Sequence, residues 1–324
     1  MDISCAFATS PDTPDHVALA EELGYRRAWL YDSPALYPDL WATMALAASR
    51  TARIGLGTGV LVPRLRHVIV TAAAAAQIEQ LAPGRLVIGV GTGFTGSRAL
   101  GQKAMKWADV ASYVEALRGL LLGETVEWEG AALRLMHPHG YSAPLPLEVP
   151  IVIAAEGPKG IDVARRLGDG MFVTLLPPQG IDWTIRLSWG TVLEEGEDAG
   201  SERVVAAAGP AVSVLYHAAY ELRGAEGVAG LPGGPEWAQA AEAISESERH
   251  LAIHAHHLES LNDLDRGRVS PDLIPQTTLT GTAEQVRAKV EEIAATGITE
   301  IAYQPIGPDI PRELRAFSEA THNI

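Results

Sequence analysis

Cysteine is nearly absent: Cys5 is the only one in 324 residues, which excludes an intrachain disulfide and any cysteine-based zinc site. Lysine is also scarce. Lys103, Lys106, Lys159 and Lys289 stand against 21 arginines and abundant alanine, the bias of a GC-rich genome. Positive charge is short overall, 25 basic against 40 acidic residues, and a net −15 offers no basic surface for the counterion release that drives nucleic-acid binding. No apolar run approaches the roughly 20 residues of a membrane span. The start Met1-Asp2-Ile3-Ser4-Cys5 lacks a basic segment followed by an apolar core, so a cytoplasmic protein without membrane or nucleic-acid partners is expected. Apolar material is plentiful, at 47% with a mean hydropathy of +0.07. Chains of this length can be two domains, but α/β barrels use it as one, and a single domain spanning 1–324 is expected.

Strand and helix signals alternate from the start. Strands are predicted at 3–8, 27–31, 54–60, 86–90, 151–155, 171–175, 204–215 and 300–304, with helices at 13–23, 40–49, 68–81, 107–122, 161–167, 181–195 and 282–295. Thr13 and Thr282 read as helix caps. Residues 125–135 alternate like a small hairpin, and about 217–280 form a glycine-rich and helical insertion before the last βα unit. This rhythm predicts an α/β fold of the (β/α)8 TIM-barrel type.

Two strands in succession end in closely spaced glycines, Gly55-Leu56-Gly57-Thr58-Gly59-Val60 and Gly89-Val90-Gly91-Thr92-Gly93. One such turn is weak evidence, since the dinucleotide spacing is not met. Two together suggest a ligand lying across strand tips with the backbone close beneath it.

These residues, with Pro63, Arg66-His67, Gly84-Arg85-Leu86, Ile153 to Pro158 and Gly168-Asp169-Gly170, resemble the bacterial luciferase-like superfamily of flavin and deazaflavin (F420) oxidoreductases. The resemblance implies a luciferase-like barrel with a bulge and a non-prolyl cis peptide at Gly59–Val60 beneath the cofactor ring. It also implies a phosphate-binding turn at Ala155, Glu156, Gly157, Pro158, Lys159 and Gly160, with Thr174 nearby; backbone N–H groups at a helix start suit an anion. Thr58, Gly91, Thr92 and Gly93 complete the expected cofactor set. The glycine wording looks more like the F420 branch, with FMN as the alternative. Relatives are commonly dimers, so a homodimer acting on a small-molecule substrate is expected.

The sugar-phosphate dehydrogenases of that branch carry His, Glu and Lys where this chain has Ser33, Phe94 and Pro177, so a less polar substrate is expected. Phe7, Tyr37, Trp41, Phe94, Leu175 and Leu176 would line its pocket. Asp32 and Ser33, after the second strand, are the candidate catalytic residues; capping and turn chemistry explain them too. Arg64, Arg66 and His67 read as structural.

In the insertion, His250 and His254 share a helix face at i,i+4. No zincin-type glutamate follows, so no metal is expected; His254 is placed toward the substrate as a proton donor. Trp183, Trp189 and Trp237 read as core or interface anchors. The expected activity is hydride transfer between F420 and a small, fairly apolar substrate. A reduced-FMN monooxygenase is the alternative, followed by a metal-dependent hydrolase barrel and a non-catalytic flavin-binding protein.

Overall fold

The computed structural model describes residues 1–322. The chain runs β1 (Asp2–Phe7), α1 (Thr13–Glu22), β2 (Arg27–Leu30), α2 (Leu40–Arg50), β3 (Gly55–Leu61), α3 (Val68–Leu81) and β4 (Leu86–Val90). Next come α4 (Phe94–Arg98), α5 (Trp107–Leu121), the hairpin β5 (Val126–Trp128) and β6 (Ala131–Leu133), β7 (Ile151–Ala154), α6 (Pro158–Leu167), β8 (Gly170–Val173) and β9 (Thr184–Trp189). Then follow α7 (Glu202–Arg223), α8 (Ala225–Val228), α9 (Gly234–Glu242), α10 (Arg249–His254), α11 (Ile274–Thr277), α12 (Ala283–Ala295), β10 (Glu300–Gln304) and α13 (Ile310–Thr321).

The barrel closes in the order β1-β10-β9-β8-β7-β4-β3-β2, the expected fold class. Its strands read as short continuous apolar runs because both faces are covered; β2, β4 and β10 are buried at every position. α12 carries the expected cap as a full capping box, Thr282 and Gln285 exchanging hydrogen bonds. Thr13 differs: it is the first helical residue, and its hydroxyl accepts the Ser10 N–H at 2.8 Å.

One pair of elements is interchanged relative to the sequence expectation. Residues 181–195, expected to be a helix, hold β9, and 204–215, expected to be the seventh strand, lie inside α7. Trp189, the last residue of β9, anchors the strand end, its Nε1 donating to Gln304 Oε1 at 2.7 Å. In α7, Val204, Ala208, Val212, Tyr216 and Tyr220 recur every four residues on the buried face, a helical period obscured by Gly209-Pro210. The excursion between β9 and α12 therefore spans 190–282 rather than about 217–280.

The chain divides into two compact units, Met1–Ser97 with Lys103–Leu187 and Gly297–Ala302, and Arg98–Gln102 with Ser188–Thr296 and Tyr303 onward. In the first, the Glu300 carboxylate is buried and accepts four donors: Ser4 Oγ at 2.6 Å, Arg27 Nη1 at 2.7 Å, and Trp29 Nε1 and Trp183 Nε1 at 3.0 Å each. Arg27 and Glu300 begin β2 and β10 and Trp183 precedes β9, so this network lies at the N-terminal end of the barrel, away from the C-terminal strand ends.

In the second unit, Trp237, Tyr216, Ile253 and Ile274 sit in a core on α7. Arg203 there bonds Glu197, Glu313 Oε1 at 2.9 Å and Thr191 Oγ1 at 2.9 Å. The Arg203 hydrogen bond, against burial and aided by the Glu194 N–H, holds the Glu197 carboxyl down to about 2 from an ordinary 4.5. A depressed folded-state carboxyl contributes stability that is complete above the unfolded value and is lost as pH falls from about 4.5 through about 2. Urea unfolding between pH 6 and pH 3 is expected to show this loss, and Glu197→Gln to flatten it; an unchanged slope in the variant would refute the assignment. No helix among the described residues is long and apolar enough to cross a membrane.

Candidate active site

The residues expected at the site lie mostly at the C-terminal ends of β2, β3, β4, β7 and β8. β3 pairs with β4 from Leu56↔Leu86 to Thr58↔Ile88 and then slips, Leu61 facing Val90, so the bulge expected from the resemblance is present. The Gly59–Val60 peptide is cis. Leu56 to Thr58 and Leu61 are buried while Gly59 and Val60 are only half-buried, so the bulge is where this strand is open.

At two of these glycines the folded chain supplies a packing reason of its own. A Cβ on Gly57 would run into the Trp29 indole, and one on Gly91 would lie 2.8 Å from Val60 Cγ2. They are packing sites for neighbouring strands, and Gly91 specifically makes room for the bulge residue Val60. The Thr58 side chain is also committed, its hydroxyl donating to the Gly89 carbonyl at 2.7 Å. Thr92 remains half-buried, and Gly93, with φ +70, turns the chain into α4.

Asp32 follows β2 and is 3% exposed. Arg66 Nη1 donates to its two oxygens at 2.5 and 2.6 Å, and the Val62 N–H to one of them at 3.2 Å. Burial pushes the Asp32 carboxyl above its ordinary value, with Arg66 and the Val62 N–H pulling it back. Arg66 Nη2 also reaches Asp39 at 2.7 Å, and its carbonyl accepts the Tyr113 hydroxyl at 3.3 Å. Burial raises that phenol to about 12, so it stays protonated. The arrangement fixes the chain leaving the bulge and gives Arg66 the structural role expected of it. Ser33 is half-buried; a Cβ on Gly96 would lie 3.3 Å from its hydroxyl.

Beyond β7, Glu156 turns its carboxylate onto the N–H groups of Thr174 and, at 3.2 Å, Leu175. It ties two strand ends together rather than capping α6, whose N-cap residue is Gly157, with no side-chain cap. Lys159 in its first turn is exposed, whereas Gly160 and Ala155 are buried, a Cβ on Gly160 colliding with Trp107. Sequence reading missed Arg186. It sits on β9, its Nε is buried without a hydrogen-bond partner, and burial lowers its pKa while Glu156 opposes. The alternation Thr184-Ile185-Arg186-Leu187-Ser188-Trp189 was the available signal.

The expected pocket residues separate by exposure. Phe7, Tyr37 and Trp41 are buried, Leu176 is half-buried, and Phe94 and Leu175 are exposed at 37% and 79%. His254 belongs to the second unit, 2% exposed, with Nε2 held 2.7 Å from Glu221. Its neighbours are His217 and His257; the i,i+4 partner His250 is half-buried against Gly101 instead.

The chain is thus a parallel (β/α)8 barrel with a bulged third strand and an uncapped helix start beside its fifth strand. Residues 8–300 match the luciferase-like monooxygenase family, and the chain belongs to it. It is an enzyme of the oxidoreductase type. A 5,10-methylenetetrahydromethanopterin reductase of Methanolobus tindarius is 25% identical over 313 residues, covering 94% of this chain and 93% of that one. An F420-dependent glucose-6-phosphate dehydrogenase of Kineococcus radiotolerans is 35% identical over 177 residues, 49% of this chain and 51% of its own. In fold, the coenzyme F420 dependent tetrahydromethanopterin reductase of Methanopyrus kandleri superposes with a TM-score of 0.69 at 20% identity, over 99% of this chain and 98% of the other.

Proposed function

We propose that this protein transfers a hydride between the deazaflavin coenzyme F420 and a small, fairly apolar organic substrate. The observation that carries the reading is the β3 bulge, where Gly59 and Val60 stand half-open in an otherwise buried strand end. Relatives of F420-dependent type support it. Bound there, the deazaflavin would supply a hydride donor or acceptor at its C5 carbon.

The residues present fit such a group. Val60 offers an apolar platform for a flat ring, backed by Gly91. The uncapped start of α6, with Lys159, suits the anionic tail. Arg186 Nε, a buried donor lacking an acceptor, supplies a second cationic contact. Asp32 is a positioning residue in this reading, since Arg66 and the Val62 N–H occupy its oxygens. Ser33 is left as the polar side chain available to a substrate carbonyl. Phe94, Leu175 and Leu176, which follow β4 and β8, put apolar surface at the strand ends and favour a less polar substrate.

Titration of the full-length protein with F420 and with FMN, following quenching of their fluorescence, tests the reading. Tight binding of F420 alone is expected; binding of neither overturns it. Arg186→Met is expected to weaken F420 binding by roughly tenfold or more, the value of a lost charge-assisted hydrogen bond. Unchanged affinity would move the anion site elsewhere. The family's monooxygenase description favours one second reading, a reduced-FMN-dependent monooxygenase. Preference for FMN together with oxygen uptake would select it.

A further inference from the structure

The second unit buries three histidines against one another. His217 on α7, His254 at the end of α10 and His257 just beyond are 2%, 2% and 5% exposed. One ring atom from each lies within 4.8 Å of the others, and the ring centroids are 5.3 to 6.0 Å apart.

Two of these rings have their tautomers set by carboxylates. His217 Nε2 lies 2.9 and 3.1 Å from the two oxygens of Asp265, and His254 Nε2 lies 2.7 Å from Glu221. An ionised carboxylate only accepts, so Nε2 is the donor in both rings, which makes Nδ1 the lone-pair nitrogen of the neutral imidazole, the form that ligates a metal. Both Nδ1 atoms are buried and have no hydrogen-bond partner. The carboxylates are themselves oriented: Trp237 Nε1 donates to Asp265 at 2.9 Å, and Arg98 Nε lies 3.2 Å from Glu221.

The third ring is presented by a shaped segment. His256 and Leu258, on either side of His257, have φ of 55 and 56, left-handed values that side chains other than glycine rarely adopt. Asn262 pins this segment, its Nδ2 donating to the carbonyls of Ala252, Ile253 and Ala255 at 3.1, 3.2 and 3.1 Å. Its Oδ1 accepts the N–H groups of Leu264 and Asp265 at 2.9 Å each, which places the carboxylate on His217.

We propose that His217, His254 and His257 form a binding site for a divalent transition-metal ion of the zinc class, with Nδ1 of the first two as ligands. Neutral imidazoles suit such an ion, and a carboxylate behind the ligating ring is the usual outer support of a histidine-bound metal. Asp265 and Glu221 also offset its charge. A tetrahedral ion about 2.0–2.1 Å from each nitrogen needs nitrogens about 3.3 Å apart, so ligand atoms now within 4.8 Å of one another draw together by side-chain rotation as the ion binds, with a fourth position left for water. The ion would clasp α7 to the segment 254–265. The site departs from the sequence expectation, which paired His254 with His250 and anticipated no metal.

The test uses full-length protein without a histidine tag, stripped with chelator and titrated with Zn2+ and, separately, Co2+. One equivalent of Zn2+ per chain is expected, with a higher melting temperature and, for Co2+, the intense visible absorption of four-coordinate cobalt. His217→Ala and His257→Ala are expected to abolish both signals, Glu221→Gln to weaken affinity about 10- to 100-fold, and His250→Ala to change neither. Absence of stoichiometric binding to the wild-type protein overturns the proposal, whether or not any variant folds. Undiminished binding by a folded His257→Ala protein overturns it as well, by assigning the metal to surface groups.

Discussion

Glu300→Ala is expected to lower the unfolding free energy by about 3–5 kcal/mol, the cost of breaking a buried ion pair from one side. Four donors converge on this carboxylate, and its removal strands Arg27, whose side chain is 10% exposed, beneath the barrel. The arginine also lies over the Trp183 and Trp29 rings, 4.9 and 5.4 Å from their centroids, so it cannot swing into water without unstacking them. Glu300→Gln should cost less, since an amide oxygen still accepts from Ser4 and Trp29. Denaturant titration reads both: a lower midpoint with unchanged slope is expected. A loss below about 1 kcal/mol for the alanine variant would show that water or a rearranged Arg27 replaces the network.

Asp32→Ala is expected to be comparably damaging, by about 3 kcal/mol, and to reach the candidate site directly. The Arg66–Asp32 pair is nearly as buried, with side chains 12% and 1% exposed, and the same carboxylate holds the Val62 N–H just past the bulge. Released from it, the backbone from Leu61 to Arg66 loses its reference point and Val60 its fixed placement. Cofactor affinity should then fall together with stability. Asp32→Asn separates this role from proton transfer. A positioning role predicts that cofactor affinity and turnover decline in step, with the pH profile of turnover unmoved. Turnover lost at unchanged affinity, with an altered pH profile, would return Asp32 to the catalytic role that its place after the second strand suggested.

Much of the first unit was legible because its strands are short, apolar and separated by helices of strong period. α3 and β4 fall on their expected residues, and the bulge strand was located by its glycines. The purpose of those glycines was not legible. Only the folded chain shows that Gly57 makes room for Trp29 and Gly91 for Val60, side chains from other strands. The interchange of β9 and α7 has a similar cause. A six-residue strand with an arginine at its centre gives little periodic signal, while a Gly-Pro pair inside a helix mimics a break. That misreading concealed Arg186.

By itself the sequence determined the barrel, the family-like strand ends and the apolar character of residues near the site, because local period, turn chemistry and composition are properties of neighbours along the chain. Tertiary structure alone decided which charges meet. Asp32 finds Arg66, Glu156 turns to the backbone just past β8, Glu300 gathers donors from three other strand regions, and His217 joins His254 and His257. Burial makes an unpartnered charge or lone pair costly, so these groups are placed by whatever the fold brings beside them, and that is a matter of distance in space rather than of spacing in sequence.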